Sequence, residues 1–149
     1  MDKNLVNDTV QELFQKLNII VNTTVEEKDE TVVVKVETED TGILIGYHGE
    51  TLSALQLVAS LIVYKKTNAW QRISLRVGDY VERREESLKA MAQRAIEKVI
   101  ATNTPVVLPY LRSDERRIVH LLLEDNTDVA SASEGEGESR RLVISPKTK

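Results

Sequence analysis

Arg112, Arg116 and His120 recur at every fourth position. On a helix such residues line one ridge, rotated by about 40° per step. Leu111, Ile118 and Leu122 fall on a different face, so the ridge is expected to reach solvent. Arg117 flanks it, and Arg140 and Arg141 precede a later apolar segment and are expected nearby. Guanidinium forks at fixed spacing on a rigid element suit phosphate oxygens, because each fork donates two hydrogen bonds at once. Spacing alone also fits, and slightly favours, a solvated helix face on which Asp114 and Glu115 pair with the arginines. A second candidate is Gly46-Tyr47-His48-Gly49, set between the apolar Ile43-Leu44-Ile45 and an apolar segment. Two glycines remove side chains where a sugar-phosphate strand must lie against the main chain. A helix that follows turns its first N–H groups toward an anion. Four such residues suit a tight turn between packed elements equally well. Tyr47 and His48 bring no fixed cation to the loop. Either ring can stack on a base instead, which is worth about 1–3 kcal/mol where it occurs.

Other chemistries find little support. There is no cysteine, and the only histidines are His48 and His120, in no metal-ligand spacing. No serine sits in a nucleophile elbow. Glu82, Glu85 and Glu86 share a charged segment with Arg83 and Arg84, which reads as solvation and ion pairing. Glu134, Glu136 and Glu138 alternate with glycines and make a poor cation cage, so a solvated hairpin tip is favoured. The expectation is a protein that is not an enzyme and uses no metal or cofactor. The absence of cysteine fits a cytosolic protein without requiring one. The N-terminus lacks the pattern of a signal peptide, and no apolar run is long enough to span a bilayer.

The net charge of −4 counts against a polyanion ligand. Distribution matters more than the sum. Residues 1–77 carry 8 basic and 11 acidic residues, and residues 78–149 carry 12 and 13. Arginine is skewed: only Arg72 and Arg76 fall in the first half, and the other eight fall in the second. The second half is the better candidate for an anion-binding surface.

The elements that must position these residues follow from periodicity. Val6, Val10, Leu13 and Leu17 mark a helix over residues 2–17. Residues 19–26 and 31–38 read as strands around a turn at Glu27-Lys28-Asp29; Val32, Val34 and Val36 share one face, and Val33, Lys35 and Glu37 the other. A short apolar turn leads to the glycine loop. The helix over residues 50–65 is apolar around most of its circumference and is expected to be largely buried. Residues 72–77 form a strand, and Gly78-Asp79 marks a domain boundary. A long helix over 79–102, a short strand over 106–108, a helix over 112–123, and strands near 128–133 and 141–145 complete the pattern.

The order helix, strand, strand, turn, G-x-x-G, helix, strand resembles a type II KH domain (α-β-β-α-α-β), and Ile45-Gly46-x-x-Gly49 resembles its nucleic-acid-clamping loop. Arg116-x-x-x-His120 resembles the signature of the R-3-H domain, a small single-stranded nucleic-acid-binding fold. Residues 81–88, 105–108, 115–120, 133–136 and 140–144 resemble the bacterial Jag family, also called KhpB or SpoIIIJ-associated protein, which joins these two domains in this order. The resemblance covers residues 30–147. It implies an α+β fold, with a KH-like domain over residues 1–78 and an R-3-H domain over 79–149. It implies cytoplasmic, membrane-free binding of RNA by a regulator or RNA chaperone acting in cell elongation, division and wall homeostasis. A single-KH partner of the KhpA type is also implied. Gly46, Tyr47, His48, Gly49, Arg112, Arg116, Arg117, His120, Arg140 and Arg141 are the expected nucleic-acid contacts. Three departures stand out. The family's N-terminal domain and linker are expected to be missing, the glycine loop lacks its usual cation, and Asp114 stands where an uncharged residue is common. Two alternatives stay open: a protein-interaction or homodimerisation module with weak RNA binding, and a binder of single-stranded DNA.

Overall fold

The computed structural model describes residues 2–148. The chain divides after Val81 into two compact units, each with its own core. Gly78-Asp79 lies just upstream of that division, because Tyr80, the first residue of the long helix, still packs on the first core.

The first unit runs α1 (Lys3–Lys16), β1 (Asn22–Lys28), β2 (Thr31–Glu37), α2 (Thr41–Ile45), α3 (Glu50–Thr67) and β3 (Arg72–Val77), with a 3-10 turn over Tyr47–Gly49 between α2 and α3. The Asp2 carboxylate caps α1 by accepting the Leu5 N–H at 3.1 Å. Asn18, at φ 59°, ends it in the left-handed region. The first strand therefore starts at Asn22 rather than at residue 19: Ile19 to Val21 are a connector, tied back by the Ile19 N–H to the Phe14 carbonyl. β1 and β2 form an antiparallel hairpin, and β2 runs parallel to β3 in the order β1-β2-β3. A parallel pair needs a crossover, which α2 and α3 supply. The short apolar turn expected before the glycine loop is α2, one and a half turns of helix that bury Leu44. Val6, Val10 and Phe14 of α1, Val32, Val34 and Val36 of β2, and Ile73, Leu75 and Val77 of β3 are part of the core. Val33 is also buried although Lys35 and Glu37 on its face are exposed.

The expectation that α3 is largely buried is corrected. Only Leu52, Ala59, Ser60 and Val63 of α3 are buried, and Leu57, Val58, Leu61 and Tyr64 are exposed. Apolar residues all round a helix bury it only where other elements cover every side. Here α3 packs on α1, α2 and β3, which take one face.

The second unit comprises α4 (Tyr80–Thr102), β4 (Val106–Val107), α5 (Ser113–Leu123), β5 (Val129–Glu134) and β6 (Arg141–Pro146), with α4 opening in the first unit's last residues. Asn103, at φ 52°, accepts the left-handed conformation that ends α4. The sheet is antiparallel in the order β4-β6-β5. Leu88, Ala92, Ala95 and Val99 of α4 pack with Leu108, Leu111, Val119, Leu123, Val129, Leu142 and Ile144. Leu122 does not join the apolar face expected of it. The packed face of α5 is Glu115, Val119 and Leu123, and Leu122 is exposed.

No helix among the described residues is long and apolar enough to cross a membrane. No group of three or more His, Asp or Glu among them is placed to hold a metal ion.

Candidate nucleic-acid interface

The stripe Leu111, Glu115, Val119, Leu123 sets the orientation of α5. Glu115 lies in the middle of it and is only 2% exposed. A buried carboxylate demands compensation. Arg84 of α4 supplies it, with Nε 2.7 Å and Nη2 3.3 Å from the two carboxylate oxygens. The Arg112 N–H donates to the same carboxylate at 3.1 Å, capping the start of α5 from within. Burial alone would push the Glu115 carboxyl up. The Arg84 and Arg112 hydrogen bonds and charges outweigh it and hold the group below the usual carboxylate range. Arg84 and Glu115 thus anchor the helix that carries the ridge. A glutamate inside an apolar stripe was the available signal, but its partner lies 31 positions away.

With Glu115 inward, the three ridge residues divide. Arg112 is held by a two-pronged contact to Asp114, at 3.2 Å for each prong. The pairing that spacing favours therefore holds for Arg112. Arg116 escapes it: one amino group donates to the Leu111 carbonyl at 2.7 Å, which steadies the guanidinium beside α5. Arg117 is exposed and makes no salt bridge among the described residues. His120 meets Ser131 of β5, Nδ1 to Oγ, at 2.7 Å. In the tautomer with Ser131 donating to Nδ1, the ring offers an Nε2–H to a ligand.

Arg116, Arg117 and His120 line one groove of about 360 Å³ with Ser113, Ala132, Ser133 and Arg140. Arg140 comes from the turn before β6 and is steadied by the Gly135 carbonyl at 3.1 Å. Arg141 is not brought there. Its guanidinium donates to the Glu138 and Arg140 carbonyls and stands 5.4 Å over the Tyr110 ring. Small residues on β5 keep the groove open. The alternating Ser and Ala of residues 130–133 were the signal for this wall, legible only once β5 is known to flank α5. Guanidinium, imidazole and hydroxyl donors around an open groove fit phosphate oxygens.

The glycine loop is built differently. Gly46 has φ 67°, and a Cβ there would lie 2.1 Å from the Thr51 hydroxyl. Gly49, at φ 80°, begins α3 from the left-handed region. His48 is also left-handed, at φ 49°, with its ring centroid 4.1 Å from that of Tyr47. The glycines thus answer a backbone requirement of the turn itself. Tyr47 is 71% exposed, so its ring is available for stacking. The first turn of α3 contributes Glu50 and no cation.

Comparison with known families agrees with both halves. The KH domain model described as KhpA/KhpB matches residues 3–77, and the R-3-H domain model matches residues 86–146. The chain belongs to the KhpA/KhpB family. Its KH and R-3-H domains stand in the order, and with the α+β architecture, that the sequence motifs imply. Among KhpB relatives, the RNA-binding protein KhpB of Clostridium symbiosum is 36% identical over 140 residues, covering 93% of this chain and 63% of the relative. The RNA-binding protein KhpB of Bacillus subtilis is 32% identical over 126 residues, covering 83% and 61%. That of Streptococcus pneumoniae serotype 2 is 28% identical over 135 residues, covering 91% and 41%. The chain therefore spans less than two thirds of the length of these relatives.

Proposed function

We propose that this chain is a cytoplasmic RNA-binding regulator or RNA chaperone that works by binding, not by catalysis. The observation that carries the proposal is the groove between α5 and β5, where Arg116, Arg117, His120 and Arg140 meet around an opening of about 360 Å³. Phosphates of a single strand enter that groove. The exposed Tyr47 and His48 rings of the KH domain add stacking rather than charge. Arg112 holds structure around the site, since Asp114 takes its fork, and Arg141 lies outside the groove with one amino group on backbone carbonyls and its guanidinium over the Tyr110 ring. The names of the relatives favour RNA over DNA.

The test is fluorescence anisotropy of a labelled single-stranded RNA over a salt series. Changing Arg116 and His120 to Ala together is expected to weaken binding and to flatten the salt dependence by about 0.7 log units for each phosphate no longer held. Unchanged affinity and slope would remove the groove from the binding surface. Matched DNA oligonucleotides in competition decide the sugar, since only RNA carries a 2′-hydroxyl.

A second reading rests on a different observation. Leu57, Val58 and Leu61 form an exposed apolar stripe on α3. We propose it as the docking face for a KhpA-like single-KH protein or for a second copy of the chain.

A further inference from the structure

The KH unit has few cations near its glycine loop, but it has a basic and aromatic patch at the other end of α3. Trp70, the only tryptophan, is 59% exposed, and Tyr64 is 44% exposed. Their ring centroids are 6.2 Å apart and their planes tilted by 55°. Leaving a tryptophan in water forgoes more burial than any other side chain could supply. A loose segment does not explain it. The Thr67 hydroxyl bridges the Val63 carbonyl at 2.9 Å and the Ala69 backbone at 3.0–3.2 Å. Asn68 closes α3 at φ 53°, its N–H bonded to the Tyr64 carbonyl at 2.8 Å. The rings are thus presented on a turn held by its own hydrogen bonds.

Three cations lie within two positions of these rings in the chain. Lys65 and Lys66 follow Tyr64, and Arg72 opens the edge strand β3. Lys66 is shared with Glu12 at 3.5 Å. Lys65 and Arg72 are exposed and make no salt bridge among the described residues. Exposed rings interleaved with unneutralised cations are what a single strand needs: faces for bases and charges for its backbone. A second copy of the same patch would set these cations against one another.

We infer that this end of the KH unit is a second binding site for single-stranded nucleic acid, separate from the α5–β5 groove and from the glycine loop. Bases stack on Trp70 and Tyr64, and phosphates meet Lys65 and Arg72. The site lies beyond the function proposed above and does not depend on the α5–β5 groove.

Because Trp70 is the sole tryptophan, its emission reports this site alone. The full chain is titrated with a short oligo(U) RNA while emission is followed, and anisotropy of the labelled RNA reports total binding. Saturable quenching of Trp70 is expected, and it is expected to persist in the Arg116→Ala, His120→Ala chain. Trp70→Ala should weaken binding about tenfold, and Trp70→Phe should restore part of it. Lys65→Glu with Arg72→Glu should flatten the salt dependence by about 1.4 log units. Rising anisotropy with unchanged Trp70 emission overturns this site and leaves the α5–β5 groove standing. Emission that follows protein concentration but not RNA overturns it in favour of self-association. No anisotropy change at all overturns both sites.

Discussion

Glu115→Gln keeps the shape of a buried side chain and removes its charge. Arg84, whose side chain is 14% exposed, then faces a neutral amide where it had a carboxylate at 2.7 Å, and the group that accepts the Arg112 N–H becomes a weaker acceptor. Breaking a buried ion pair by removing one partner costs about 3–5 kcal/mol. The partial exposure of Arg84 places the cost at the lower end, about 3 kcal/mol. A unit of this size has a total stability of roughly 3–10 kcal/mol at typical values per residue. The expected fall in Tm is therefore on the order of 12–24 °C for the second unit. Urea and thermal unfolding followed by far-UV circular dichroism read the change, and amide NMR signals of β5 and β6 assign it. Arg84→Met with Glu115→Leu should recover most of the stability, because a buried ion pair replaced by apolar residues of similar volume is often neutral. A deficit of about 1 kcal/mol should remain from the missing cap. A second readout comes from pH. The Glu115 carboxyl titrates below its ordinary value of 4.5 in the folded chain, so its contribution is complete above that value and is lost as pH falls through the depressed one. The gap between the native chain and Glu115→Gln should be widest at neutral pH and close in acid. A Tm shift below about 4 °C, or a gap that does not narrow in acid, would refute the argument that this pair anchors α5.

Four further outcomes are expected. Arg116→Ala should weaken RNA binding more than Arg112→Ala, because the Arg112 fork already grips Asp114; anisotropy titrations compare them directly. Gly46→Ala should destabilise the first unit by more than about 1 kcal/mol, through the positive φ and the clash with Thr51, as urea unfolding reads. Tyr47→Ala should leave stability unchanged and reduce RNA affinity about tenfold by removing a stacking ring, as anisotropy measures. Leu61→Asp should abolish association through α3, followed by light scattering after chromatography, while leaving the circular dichroism spectrum unchanged, since Leu61 is exposed.

Local pattern was enough for the order of elements. Valines alternating along β2, the four-residue spacing along α1 and the positive-φ Gly46 and Gly49 of the glycine loop are each specified by residues close in the chain, and the KH and R-3-H motifs could be placed from them. The four-residue spacing likewise put Arg112, Arg116 and His120 on one helical ridge, Arg112 as its cap. It could not say which of them stays clear of a carboxylate. That was decided when Glu115 turned inward to Arg84 of α4, when Asp114 took Arg112, and when β5 brought Ser131 to His120 and a wall of small residues to Arg116. Composition also misjudged α3, whose burial depends on how many elements lie beside it rather than on its own residues. Short-range steric and hydrogen-bonding rules act within a turn or a strand and leave their mark in sequence. The commitment of a charge or an apolar face depends on partners brought together only by packing. For this chain, that is where the groove and the exposed aromatic patch were determined.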